Sequence, residues 1–148
     1  MRARAVAALA FAAAACSPNP RTEIPDIAAA ALAELPVVAP GRSLCVERTI
    51  AQWHPAGEES RLDPPAPPGF AELLAQHRFP GGGGLKGDSV AGVPVRHGVG
   101  CFDLRGPLVA GDRAMITAHL RGVGLNLWLR RVGLDWRVVA TTTSPYRE

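Results

Sequence analysis

The sequence predicts an α+β fold, with two helices packed on a curved antiparallel sheet that ends in a three-stranded meander. Three observations carry this expectation. The last third of the chain alternates apolar and polar residues in consecutive runs, the two-residue period of half-buried strands. Residues 24–35 and the stripe Phe70, Leu73, Leu74 and His77 instead suit helices. The length of 148 residues suits one domain with a single modest core.

In the first helix, Pro25 suits a first-turn position, Asp26 favours the positive end of the helix dipole, and alanines follow. Pro36 and Pro40 are expected to end it. Across 43–50, Leu44, Val46 and Ile50 fall on one face and Cys45, Glu47 and Thr49 on the other, a strand in which Arg48 is discordant. Residues 54–69, rich in Pro, Glu and Ala, read as a surface loop, and Pro80 with the glycines 81–84 stops the second helix. Residues 90–95 suit a short edge strand, because Pro94 cannot donate a ladder hydrogen bond. In the closing third, Ala114, Ile116, Ala118 and Leu120 share one face, and Leu125, Leu127 and Leu129 continue it. Leu134, Trp136, Val138 and Ala140 complete that face, with turns at 122–124 and 132–135, so Trp136 is expected in the core.

The first residues carry an address. Arg2 and Arg4 give a positive start, 5–15 form an apolar run, and small residues lead into Cys16, the build of a bacterial export signal. Residues 13–16, Ala-Ala-Ala-Cys, resemble the lipobox of bacterial lipoproteins, which implies that the Cys16 thiol is acylated and becomes the new N-terminus. That pattern prefers a large aliphatic residue where this chain has Ala13. Ala13 and Ala15 also satisfy the small-x-small rule of ordinary cleavage, so plain secretion to the periplasm stays open. Eleven weakly apolar residues fall short of the roughly 20 that span a bilayer. By resemblance to lipoprotein sorting, Ser17 in place of Asp favours the outer membrane. The expected organisation is a signal over 1–15, a tether over 16–22 and one domain over 23–148.

Losing Arg2 and Arg4 with the signal lowers the 16 basic side chains to 14, against 13 acidic ones, so the charge balance gives nucleic-acid binding no support. Cys45 and Cys101 then remain, and in an oxidising compartment an isolated pair is most economically a disulfide. Both fall on the polar side of their strands, so they can bridge if those strands are neighbours or a loop folds over.

Residues 111–116, 124–131 and 135–139 are similar to the closing strands of uncharacterised bacterial exported proteins and of the nuclear-transport-factor-like, cystatin-like α+β folds. In those, a strand ending in charged residues turns into one with a Trp followed by alternating valines. The likeness covers about 35 residues. It implies a helix-covered sheet, in a superfamily that holds both enzymes and non-catalytic binding modules, and it assigns no catalytic residue here.

Gly82, Gly84 and Gly87 match a dinucleotide fingerprint, but the strand before and helix after that it requires are lacking, so the run reads as a flexible loop. His54, His97, Cys45 and Cys101 are suitable zinc ligands without zinc-site spacing, and the disulfide accounts for the cysteines more simply. Ser43, Ser60 and Ser89 have no nucleophile-elbow context. His119 with Asp103 or Asp112 would make a general-base pair if the strands bring them together. Arg113, Arg121, Arg130 and Arg137 alternate onto the side of His119 and Trp128, a row that is either a solvated face or one suited to anionic groups such as lipid phosphate or acidic glycans. The expectation is an envelope module, attached to the membrane by its N-terminal lipid, that binds an envelope protein or ligand without catalysis, cofactor, metal or nucleic acid. The alternative is a small hydrolase or isomerase with a pocket around His119.

Overall fold

The structure, a computed structural model, describes residues 20–40, 44–52, 66–75, 83–120 and 123–145. Cys16, Ser43, His54, Ser60, His77, Gly82 and Arg121 lie outside the described residues. The fold is α+β, with few helices and a large, mostly antiparallel sheet. Its elements are α1 (Pro20–Val38), β1 (Val46–Ala51), α2 (Ala71–Ala75), β2 (Gly83–Gly84), β3 (Ser89–Val90), β4 (Val93–Pro94), β5 (Phe102–Ala110), β6 (Arg113–Leu120), β7 (Val123–Val132) and β8 (Asp135–Pro145). The described sheet runs β2-β1-β5-β6-β7-β8, with β3 and β4 forming a separate ribbon.

Ile24, Ile27, Ala28, Ala31, Leu32 and Leu35 are all buried. Their spacing of three and four residues draws one stripe along α1, and this stripe lies on the sheet. The helix is longer than the sequence suggests. It begins inside the stretch read as tether and contains both Pro25 and Pro36. The two prolines are exposed, so a lost helical hydrogen bond can be met by water instead of leaving a buried gap. Beneath the helix, Phe102, Leu104, Ala114, Ile116, Ala118, Leu120, Leu125, Leu127, Leu129 and Trp136 complete the main core.

Two connections join the closing strands with two residues each: Gly111 and Asp112 between β5 and β6, Gly133 and Leu134 between β7 and β8. Gly133 has φ +65°, a backbone that only glycine adopts without penalty at the first position of such a turn. Leu134 sits at the tip and is 96% exposed. The inward position expected for it fails because the register pairs Val132 with Asp135, which ends the ladder before residue 134.

β1 corrects the expectation of an antiparallel sheet, for it runs parallel to β5. Fifty residues separate the two strands, room for the crossover that a parallel pair requires. Arg48 is no longer discordant. Its Nη1 donates to the Leu85 and Gly87 carbonyls, both at 3.1 Å, and Leu85 N donates back to Arg48 O at 2.8 Å. The described end of the glycine run, Gly83–Gly84, therefore forms the edge strand β2 instead of a loose loop, with Thr49 opposite Gly84. Residues 90–95 lie in a separate ribbon that meets the main sheet through an isolated bridge between Val95 and Val46, beside which Arg96 N donates to Val46 O at 2.9 Å. Ala91 (φ +49°) and Gly92 (φ +79°) turn the chain so that β3 pairs with β4.

The first turn of α1 is fixed to the end of β7. Glu23, 6% exposed, pairs with the Arg131 guanidinium, which also lies 5.1 Å from the centre of the Trp136 ring. Arg131 N donates to Asp112 O at 2.7 Å, so the helix N-terminus and both hairpin turns meet at one end of the molecule. Removing one member of a buried pair strands the other charge, at about 3–5 kcal/mol. The Arg131 side chain keeps 24% of its exposure, so the Glu23→Ala cost is expected at or below the lower end of that range, about 2–3 kcal/mol. Urea unfolding measures it, and an unchanged midpoint would show that the pair holds nothing.

Candidate functional site

The sheet face turned away from α1 has an apolar end and a polar end. Phe70, just before α2, and Leu73, within it, pack with Leu108, Met115 and Trp128 as a second core. The Phe70 and Trp128 rings meet edge to face, with centroids 5.5 Å apart, and Trp128 Nε1 donates to Thr142 Oγ1 at 2.9 Å. The second helix is shorter than expected and starts after Phe70, so that ring reaches the sheet from the turn before it.

Beside this cluster Thr117 Oγ1 donates to Asn126 Oδ1 at 2.8 Å, both residues being buried. Further along the same face Asp103 stands opposite His119 in the β5–β6 ladder, and Arg105 stands opposite Thr117. His119 is half-buried and Asp103 exposed. The structure thus brings His119 to Asp103; Asp112 lies beyond the far end of β6. A groove of about 430 Å³ runs beside them between β1 and β5, lined by Glu47, Thr49, Gln52, Asp103 and Arg105 among others.

The arginine row is in register. Arg113 stands opposite Arg130, and Arg130 opposite Arg137, across three adjacent strands. Like charges directly opposite one another on a sheet repel. Arg113 is drawn off by other partners. It donates to Gly69 O, lies 3.7 Å from an Asp112 carboxylate oxygen and covers Phe70 with its guanidinium 6.0 Å from the ring centre. Arg130 and Arg137 are exposed.

At the opposite end of the molecule, a cleft of about 350 Å³ opens between the C-terminus of α1 and the sheet, lined by Val38, Ala39, Pro40, Phe102, Leu120, Leu125 and Thr143. It lies on the helix-covered face, away from His119. Beside that end the Cys45 and Cys101 sulfurs are bonded to each other, with Cα atoms 4.6 Å apart. Phe102 N donates to Cys45 O at 2.8 Å, so the two cysteines enter neighbouring strands side by side. Neither sulfur is therefore a thiolate for the Cys–His metal set considered from the sequence. His97 of that set lies 3.3 Å from a Glu47 carboxylate oxygen instead.

Sequence reasoning missed the Glu23–Arg131 pair and the exposed tip at Leu134. The parity of β7 held the first signal, since it places Arg131 on the helix side, opposite Trp136. No family model, curated protein or solved structure matches this chain.

Proposed function

We propose that this chain is an exported bacterial envelope lipoprotein whose folded domain is a non-enzymatic module binding a partner or ligand. One observation carries the reading. Cys45 and Cys101 are bonded to each other, as suits an oxidising compartment, while the third cysteine, Cys16, closes an export-type leader. The apolar core under α1 also favours a module, because the side chains that would do acid–base chemistry sit on the other face of the sheet. The long helix lying on a curved sheet that ends in a meander remains the nuclear-transport-factor-like reading of the fold. A second reading, a hydrolase or isomerase using His119, draws on Asp103 standing opposite it. It ranks below the first because the open cleft near α1 is lined, among the described residues, by apolar groups and Thr143 alone.

The test is anchoring. Expressed in a bacterium, the wild-type chain is expected in the detergent phase with a lipid mass increment on Cys16, and Cys16→Ser in the aqueous phase. A soluble wild-type protein of unmodified mass would overturn the lipoprotein reading and leave plain secretion.

A further inference from the structure

We propose that the β7–β8 hairpin tip is a membrane-contact element, with Leu134 entering the lipid interface and Arg130 and Arg137 taking lipid phosphates; this rests on the reading of Cys16 as the lipid anchor. Leu134 is the starting point. Solvated turns are the province of Gly, Asn, Asp and Ser, whose backbones and side chains suit them. Here the residue after Gly133 is a leucine, 96% exposed, with Val132 beside it at 49%. A side chain that exposed contributes no packing to the fold.

The placement of the anchor supplies the partner. Cys16 stands four residues before Pro20, a span of at most about 14 Å when extended. The Glu23–Arg131 pair fixes the first turn of α1 to the last residues of β7, next to the tip. A lipid on Cys16 would therefore bring this end of the molecule to the bilayer. The same end carries the in-register arginines, two of them exposed, whose mutual repulsion a layer of phosphates would relieve. Charge is the smaller contribution. Arg131 is committed to Glu23, Arg113 to Asp112 and Gly69, and Asp135 lies on the same strand as Arg137. One lipid chain alone binds membranes marginally, and a second contact makes anchoring stable. The hairpin would be that contact and would set which way up the domain sits.

Val99 provides the internal control. It is 99% exposed and precedes β5, at the disulfide end of the sheet, opposite the tip. Leu134→Cys and Val99→Cys each add one free thiol to a chain whose Cys45 and Cys101 are bonded and whose Cys16 would be acylated. Each variant is labelled with an environment-sensitive fluorophore and reconstituted into phosphatidylcholine vesicles with and without phosphatidylglycerol. The probe at 134 is expected to shift to the blue and to resist iodide quenching several-fold better than the probe at 99. Arg130→Ala with Arg137→Ala should reduce that protection in the anionic vesicles. Equal quenching at the two positions, or protection at 99 alone, would overturn the proposal. Intact mass on the same preparation reads acylation separately. Should the acyl increment be missing, the anchor reading fails, and the 134 probe is read on the Cys16→Ser chain mixed with excess phosphatidylglycerol vesicles. A smaller blue shift is expected there, since the hairpin then binds without an anchor, and its absence overturns the hairpin contact.

Discussion

Trp128→Ala should destabilise the domain by about 3–5 kcal/mol, a large fraction of the roughly 5–15 kcal/mol that holds a domain of this size together. Trp128 has no exposed surface, and it is the side chain on which the second core is built, with Phe70 at its edge and Leu73, Leu108 and Met115 around it. Alanine leaves a cavity that the strands on either side cannot close, because β6 and β8 are held at ladder spacing. It also releases α2, whose only described apolar anchors, Phe70 and Leu73, belong to that cluster. Trp128→Phe separates the two contributions. It keeps most of the packing but removes the Nε1 donor to Thr142, and should cost the packing difference plus about 1 kcal/mol for the hydrogen bond. Urea midpoints of both variants measure this. An alanine variant within 1 kcal/mol of the parent would mean that the outer cluster is not a core.

Breaking the Cys45–Cys101 bond should be of the same order. The two residues are 56 apart in sequence, and closing a loop of that size constrains the unfolded chain by about 4 kcal/mol in the chain-entropy model. For a domain of this size that corresponds to a fall in Tm on the order of 10–20 °C. Thermal melts with and without reductant, alongside the Cys45→Ala, Cys101→Ala double variant, should agree with each other. Melts that do not respond to reductant would show either free thiols or a bond that the fold does not need, and mapping under non-reducing conditions tells the two apart.

The alternation in 113–138 made the closing strands legible because one face of each is buried against α1 and the other is polar or carries the second cluster, whereas the bulge at Val139 turns Ala140, expected inward, to the second cluster. Positions whose neighbours are distant in sequence were not legible in the same way. Arg48 looks misplaced in its strand until the Leu85 and Gly87 carbonyls, almost forty residues later, arrive beside it. The parallel direction of β1 depends on the route of the intervening crossover, which no local pattern records. Leu134 was misassigned because alternation was extended one step past the turn, where the ladder register had already ended. For the candidate site, parity placed Arg113, Arg130 and Arg137 in one row. It did not say that Arg113 is occupied by Gly69 and Asp112, which depends on how residues 66–70 return across the sheet.

The two borders of the sheet are guarded by different means. At one, β8 ends in Pro145 and is interrupted where Val139 bulges out of the ladder between Val138 and Ala140; such breaks spoil a strand as a template for another chain. At the other, the short strand β2 borders β1, which in turn covers β5, and the sulfur bond pins the start of the β1–β5 pairing. A reduced chain would shed β1 more readily than it would lose the short-looped strands β5 to β8. It would then offer the length of β5, apart from Pro107, to any strand able to add to it, including the same strand of a second molecule. Oxidation would thus guard the protein against self-assembly as well as against unfolding.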